Sequence, residues 1–205
     1  MALLLETHPD NPNARHIKRA IEALESEQLI AYATDTTYGL GCDIASKKAM
    51  ERALNLKGYS KYHLLSFLCA DLSHISEYAR IETSAYKIMK RCLPGPFTFI
   101  LPATREVPKR LLTKQKTVGI RVPAHPVCHS LLTEFGRPIL STSVTDRDGI
   151  VIGDPEIINE VWGHEINVIL DSGILLVELS TVVDLTDPDN PVIVREGKGD
   201  AGLIG

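Results

Sequence analysis

The chain has 205 residues and a formal net charge of −4; 44% of its residues are hydrophobic and 23% are charged. This balance fits a globular unit with a sizeable core and excludes an intrinsically disordered chain. The first residues carry too short an apolar run for a secretory signal, and no segment approaches the ~20 apolar residues that a membrane helix needs. We therefore expect a soluble, cytoplasmic protein with no membrane partner.

Apolar periodicity and helix-breaking residues predict alternating helices and strands in the first half of the chain. In order, they predict a helix over 10–28, a strand over 29–34, a helix over 46–57 with Ser46 as its N-cap, a strand over 63–70, and a helix over 83–93. Further on they predict strands over 97–103, 117–123, 138–144, 166–173, 180–185 and 191–197, with helices over 126–136 and 154–163 between them. This order favours an α/β fold with a mixed parallel and antiparallel sheet, formed as one domain over residues 1–205.

The stretch "AYATDTTYGLGCD" (31–43) begins like a buried strand and then turns rich in hydroxyls and glycine. One interpretation is a plain turn, because Thr and Asp at strand ends often satisfy the turn backbone. The other is a small-molecule pocket at the carboxyl end of a strand. The "GLG" within it predicts a turn, and the chain has no Walker A loop, no GxGxxG and no evident catalytic triad.

Cysteine and histidine spacing argues against a protein-bound metal. The four cysteines are Cys42, Cys69, Cys92 and Cys128, with no CxxC among them, and such isolated cysteines are typical of buried free thiols. His125 and His129 stand four apart in "HPVCH", the spacing of a two-histidine metal face. No Glu follows His125, however, and Pro126 starts a helix there, so a helix-capping His125 is the favoured interpretation.

Charge is unevenly distributed along the chain. From Lys87 to Arg121 there are nine Lys or Arg residues and one acid, whereas from Asp146 to Asn190 there are eleven acids and one base. Such a division produces either two solvated surfaces of opposite sign or a positive site for the phosphates of a nucleotide or of RNA.

Six segments, in the right order, resemble elements of the YrdC/YciO family of threonylcarbamoyl-AMP synthase-like proteins. They are "ATDTTYGLGCD" (33–43), "PGPFTFIL" (94–101), "VGIRVPAHP" (118–126), "PILSTS" (138–143), "STVVDL" (180–185) and "VIVREG" (192–197). The resemblance covers nearly the whole chain. It implies a YrdC/RibB-like twisted mixed sheet with flanking helices and a concave basic cavity, and no counterpart of the C-terminal domain of longer members.

The family enzymes are nucleotidyltransferases that convert ATP, L-threonine and bicarbonate to threonylcarbamoyl-adenylate and pyrophosphate, and a separate complex uses the adenylate to modify adenosine 37 of tRNA. By position, the resemblance places Thr36, His63, Arg121, Thr142 and Ser180 on the threonine side and Lys57, Ser143, Thr145 and Arg195 on the nucleotide side. An Arg fork can pair with a carboxylate, a Lys with a triphosphate, and Mg²⁺ brought with ATP would bridge phosphate oxygens.

Two motifs depart from the synthase pattern. The Lys-x-Arg of the synthases reads Lys57-Gly58-Tyr59 here, and their Ser-x-Asn reads Ser143-Val144-Thr145. A Tyr cannot replace a cationic fork, and a Thr lacks the paired donor and acceptor of an amide. These losses match the YciO-type branch and leave three interpretations open: a weak synthase, an enzyme acting on a related adenylate, or a non-catalytic protein that binds tRNA or double-stranded RNA. No catalytic residue is assigned.

Overall fold

A computed structural model describes residues 1–58, 65–108, 111 and 115–205. The strands are β1 (Leu3–Glu6), β2 (Leu29–Ala33), β3 (Tyr38–Asp43), β4 (Ser66–Leu68), β5 (Phe97–Pro102), β6 (Thr117–Arg121), β7 (Ile139–Ser143), β8 (Ile166–Asp171), β9 (Thr181–Asp184) and β10 (Val192–Arg195). The helices are α1 (Ala14–Glu25), α2 (Lys47–Leu56), α3 (Leu72–Tyr78), α4 (Thr83–Cys92), α5 (Pro126–Phe135) and α6 (Pro155–Trp162). A short 3₁₀ turn follows at Ala201–Leu203.

The strands join into one sheet in the order β1-β8-β2-β3-β7-β4-β6-β5-β9-β10. Strand β8 runs parallel to β1 and β2, β4 runs parallel to β6, and β5 runs parallel to β9. The remaining neighbours are antiparallel, including β3 and β4 on either side of β7. The predicted mixed α/β sheet is therefore confirmed.

Helices cover the two faces of the sheet unequally. Alternate residues of β2 point to opposite faces, so that Ile30 and Tyr32 join one core cluster and Ala31 joins the other. On the first face α1 and α5 pack together over β2 and β8. The other cluster takes buried residues from α2, α3, α4 and α6. In β6, Gly119 and Arg121 alternate with the core residues Val118 and Ile120 and therefore lie on the opposite face, on which α1 and α5 pack. They lie on a part of that face that the two helices do not cover.

The five predicted helices and eight predicted strands are confirmed within a few residues at their ends. The Ser46 hydroxyl caps α2 by accepting from the Ala49 N–H at 3.1 Å, and His125 Nδ1 caps α5 by accepting from the Val127 N–H at 3.3 Å. All four cysteines are buried free thiols. The sequence did not indicate the four-residue β1 or the seven-residue α3, which are too short to show a clear period.

The prediction of a turn at "GLG" was wrong, because Gly39 and Gly41 lie inside β3. A Cβ at Gly41 would stand 2.6 Å from Tyr32 Cε1 and 2.8 Å from Ile139 Cγ2, and one at Gly39 would stand 3.1 Å from the Tyr32 ring. The two glycines therefore leave room for the fully buried Tyr32 ring, which lies on the neighbouring strand. Its hydroxyl donates to Ser141 Oγ or accepts from it at 2.8 Å, and this bond ties β2 to β7 across β3.

Candidate ligand cavity

A cavity of about 570 Å³ lies on the same sheet face as α1 and α5, over the part that these helices leave uncovered. Its floor is formed by small residues of adjacent strands, because Ser141 of β7 pairs with Ser66 of β4, and Ser66 pairs with Gly119 of β6. Small side chains in register make this part of the sheet hollow. The sequence suggested a pocket at the carboxyl end of a strand, whereas this cavity also extends across the middle of the face.

Three cationic side chains line this cavity, and none of its lining residues in the described part of the chain is acidic. Lys57 caps the carboxyl end of α2, Arg121 ends β6, and Arg195 ends β10. Hydroxyl groups of Thr and Ser residues fill much of the wall between them. Such a lining is suited to an anionic ligand that also accepts and donates hydrogen bonds.

Arg121 is held rigidly at one end of the cavity and is only 9% exposed. Its Nη2 donates to Asp35 Oδ1 and, at 2.7 Å, to Thr36 Oγ1, while Asp35 Oδ2 accepts from the Ala124 N–H at 3.0 Å. Its Nε is buried and has no hydrogen-bond partner among the described residues. A fixed guanidinium with one unused buried donor is a suitable binding point for a carboxylate.

Lys57 lies at the opposite side, beside the end of β7. Its Nζ donates to the Ser143 carbonyl at 3.0 Å and to Thr145 Oγ1 at 2.6 Å. Trp162 Nε1 in turn donates to the Thr145 carbonyl at 2.6 Å, and this bond holds the Thr145 main chain in place. Partial burial lowers the pKa of Lys57 to about 8, so the ammonium is still mostly charged at neutral pH.

Arg195 is held by neutral partners at the third corner. Its Nε and Nη2 donate to the Ser180 carbonyl at 3.1 and 2.8 Å, and Nη2 also reaches Ser180 Oγ at 3.1 Å. Ser180 Oγ and Thr98 Oγ1 are 2.9 Å apart, which extends the network along the wall. Partial burial, followed by the positive charge of Arg121, lowers the pKa of Arg195. The two guanidinium groups therefore interact electrostatically within one cavity.

Most of the residues that the sequence placed in a site converge here. Those that line the cavity are Lys57, Arg121, Thr142, Ser143, Thr145, Ser180 and Arg195. Thr36 does not line it but contacts Arg121 from behind. His63 and Tyr59 lie outside the described residues. The roles of these residues in binding remain predictions.

Sequence reasoning missed Ser66, Thr98 and Gly119, which line the cavity from within strands. The signal that could have found them is a small or hydroxylated residue inside an otherwise apolar strand, as in "LLSFL", "FTFIL" and "TVGIR". It also treated Asp35 as a turn-former, whereas the carboxylate pairs with Arg121. Of the described basic residues between Lys87 and Arg121, only Arg121 lines the cavity, and Lys87, Lys90 and Arg91 lie exposed on α4.

A second cavity, of about 810 Å³, is larger but chemically different. It is bounded by the start of α5, by residues 70–73 and by several prolines, and it contains Asp10 and Asp71 but no Lys or Arg among its described lining residues. His125, whose pKa burial lowers, and His129 lie on its wall. None of the predicted site residues that the structure describes lines it. We therefore regard the smaller cavity as the candidate site, because charge and hydrogen-bonding groups converge there.

Two further features bear on the class of protein. Within the ranges that the structure describes, no three His, Cys, Asp or Glu side chains converge in an arrangement that could hold a metal ion. None of the helices in those ranges has the length and apolar character needed to cross a membrane.

The fold and the cavity define the class of protein as α/β, with one mixed sheet and a hollow, hydroxyl-rich and cationic part of one face. Residues 22–197 match the Sua5/YciO/YrdC family model, whose description is "Telomere recombination". The chain is 42% identical over 202 residues to the uncharacterized protein YciO of Escherichia coli strain K12, and the match covers 98% of each chain. The chain therefore belongs to the Sua5/YciO/YrdC family.

More distant relatives include enzymes with a named activity. The threonylcarbamoyl-AMP synthase of Vibrio vulnificus strain YJ016 is 29% identical over 158 residues, covering 76% of this chain and 85% of the enzyme. Among solved structures, E. coli YciO superposes with a TM-score of 0.94 over the full length of both chains. P. abyssi Sua5 complexed with L-threonine superposes with a TM-score of 0.85 at 28% identity, covering 96% of this chain and 58% of Sua5.

Proposed function

We propose that this chain is a threonylcarbamoyl-AMP synthase-like protein that binds ATP, with its Mg²⁺, and L-threonine in the 570 Å³ cavity and joins them with bicarbonate at a low or altered rate. The observation that carries the proposal is the convergence of Lys57, Arg121 and Arg195 around one hydroxyl-lined hollow of the sheet. A synthase relative and the threonine complex of Sua5 support the choice of substrates.

The proposed reaction has two bond-forming steps. The amine of L-threonine attacks the carbon of bicarbonate, and loss of water leaves a carbamate. A carbamate oxygen then attacks the α-phosphorus of ATP, the bond from that phosphorus to the bridging oxygen breaks, and pyrophosphate leaves. L-threonine, bicarbonate and ATP thus become threonylcarbamoyl-adenylate, pyrophosphate and water, with no covalent intermediate on the protein.

In this reaction the protein acts by positioning and by charge stabilisation. Arg121, fixed by Asp35 and Thr36, lines the cavity and pairs through its guanidinium with the threonine carboxylate. Lys57 and Arg195, at the other corners, offset the negative charge of the phosphates. Thr142, Ser143 and Ser180 line the same cavity and supply hydrogen bonds to the amino acid and the ribose.

The rate is proposed to be low because of the two motif positions. The Thr145 hydroxyl accepts a hydrogen bond from the Lys57 ammonium at 2.6 Å, so its oxygen points toward Lys57. Loss of a single donor to a developing charge typically costs about 10²-fold to 10³-fold in rate. A chain without the Arg and Asn of the synthase motifs is therefore expected to bind its substrates better than it turns them over.

Release of pyrophosphate tests the proposal directly. The protein, at high concentration, is incubated with ATP, Mg²⁺, L-threonine and bicarbonate, and pyrophosphate and the adenylate are measured with each substrate omitted in turn. We expect slow release that requires all three substrates and that Lys57→Met abolishes. Absence of release from folded protein would reject the synthase reaction.

The second candidate function is binding of tRNA or double-stranded RNA without catalysis. It is favoured by the exposed row of Lys87, Lys90 and Arg91 on α4, within a segment that is strongly basic overall. Phosphate contacts of this kind give an affinity that falls steeply as salt rises. Salt-sensitive binding of tRNA that is lost when these three residues are replaced by Gln would support it, and no binding at low salt would reject it.

A further inference from the structure

Asp35 lies next to the cavity and is held by hydrogen bonds to Arg121, Ala124 and Lys198. Its side chain and that of Arg121 are 10% and 11% exposed. One carboxylate oxygen accepts from Arg121 Nη2 and the other from the Ala124 N–H, while the main-chain carbonyl accepts from Lys198 Nζ at 2.7 Å. Asp35 does not itself line the cavity. It can therefore act on a ligand only through Arg121 and through its charge.

The two guanidinium groups of the cavity differ in this respect. Arg121 has a carboxylate against it, whereas the partners of Arg195 among the described residues are the carbonyl and the hydroxyl of Ser180. A carboxylate in contact with a guanidinium cancels most of its field a few ångströms away. The positive charge of Arg195 thus has no carboxylate in contact with it among the described residues, whereas that of Arg121 is partly offset by Asp35.

We propose that Asp35 is a positioning residue that determines which anion binds at Arg121. It holds the guanidinium in place and offsets its charge, so that this corner accepts a single carboxylate and rejects a phosphate. Phosphoryl groups are thereby directed to Lys57 and Arg195. The inference rests on the proposed function, since it assumes that a carboxylate and a phosphate ligand share this cavity.

Competition between L-threonine and inorganic pyrophosphate tests this role. In the wild-type protein the two ligands occupy different corners, so saturating pyrophosphate changes the Kd of L-threonine less than about twofold. In Asp35→Asn the charge at Arg121 is uncompensated, pyrophosphate also binds there, and the apparent Kd of L-threonine rises about tenfold with added pyrophosphate. Asp35→Ser removes the same charge and gives the same readout if the Asn variant does not fold.

Asp43→Asn is the matched control, because Asp43 is a buried carboxylate that pairs with Arg137 outside the cavity, at 2.7 Å. This substitution is expected to lower the stability of the protein without making pyrophosphate compete with L-threonine. Asp35→Glu keeps the charge and is expected to restore independent binding. If Asp35 has only a structural role, its substitution would weaken the binding of both ligands without making them compete. That result would overturn the inference. If wild-type protein binds neither ligand, the proposed function fails and the inference fails with it, which is a different result from loss of competition alone.

Discussion

The two cavities meet at the end of strand β6, yet their linings differ in charge and in hydrogen-bonding groups. Arg121 ends β6 and lines the smaller cavity, and Val122, Pro123 and Ala124 follow directly and line the larger one. The smaller cavity has three cations and many hydroxyls, whereas the larger has two acids and a proline-rich wall. Converging charged and hydrogen-bonding groups, and not volume, are therefore the reason for which the smaller cavity is the candidate site.

The largest expected effect comes from removing the cation nearest the boundary between the cavities. Arg121→Met is expected to weaken L-threonine binding by about a hundredfold, because it removes the fixed donor and leaves the Asp35 carboxylate buried without its partner. Calorimetric titration of L-threonine measures this. Arg137→Met, which removes the partner of the buried Asp43 carboxylate outside the cavity, should lower stability but leave threonine binding unchanged. Equal losses in the two variants would contradict a specific role for Arg121.

A smaller effect is expected at the opposite side of the same cavity. Lys57→Met is expected to weaken binding of ATP with Mg²⁺ about thirtyfold, since a partly buried ammonium beside a phosphate contributes more than a surface one. Lys48→Met on the exposed face of α2 is the matched control, because it removes the same charge from the same helix. If both substitutions weaken ATP binding alike, the effect is one of overall charge and not of the cavity.

Binding of ATP is also expected to depend on pH. A lysine whose pKa is lowered loses its positive charge as the pH rises through that value, which is about 8 for Lys57. Affinity for ATP should therefore be fully present below about pH 7 and fall about tenfold by about pH 9. Lys57→Met should flatten the profile over this interval. A profile that keeps its slope in the variant would assign the pH dependence to another group.

The smallest effect is expected in the larger cavity. His129→Ala removes an exposed side chain from its wall, and we expect the Kd of ATP and of L-threonine to change less than about twofold, as is usual for surface substitutions away from a site. The same titrations measure it. A change as large as that of Lys57→Met would break the distinction between the two cavities and would move the candidate site.

The sequence predicted the charged corners of the site better than its floor. Lys57, Arg121 and Arg195 could be located because they lie in motifs that resemble a family. The hollow formed by Ser66 and Gly119 could not, because it depends on the register between β4 and β6, which no local pattern specifies. In the fold, strong periods predicted the longer helices, whereas the sequence did not predict β1, α3 or the glycine-containing β3.

Two local features depend on contacts that the local sequence does not show. Gly39 and Gly41 indicate a turn when considered alone, but they make room for Tyr32 of β2, and a Cβ at Gly41 would also meet Ile139 of β7. Asp35 does lie in the connection between β2 and β3, and its carboxylate also pairs with Arg121, 86 residues away. Such pairs become visible only when the sheet order is known.

We propose that the smaller, cationic cavity binds ATP and L-threonine. The most direct measurement is calorimetric titration of ATP with Mg²⁺, with and without L-threonine and bicarbonate, on the wild-type protein, Lys57→Met and His129→Ala. We predict binding that L-threonine strengthens, that Lys57→Met weakens about thirtyfold and that His129→Ala leaves unchanged. No nucleotide binding by well-folded wild-type protein, or equal losses in both variants, would contradict the claim.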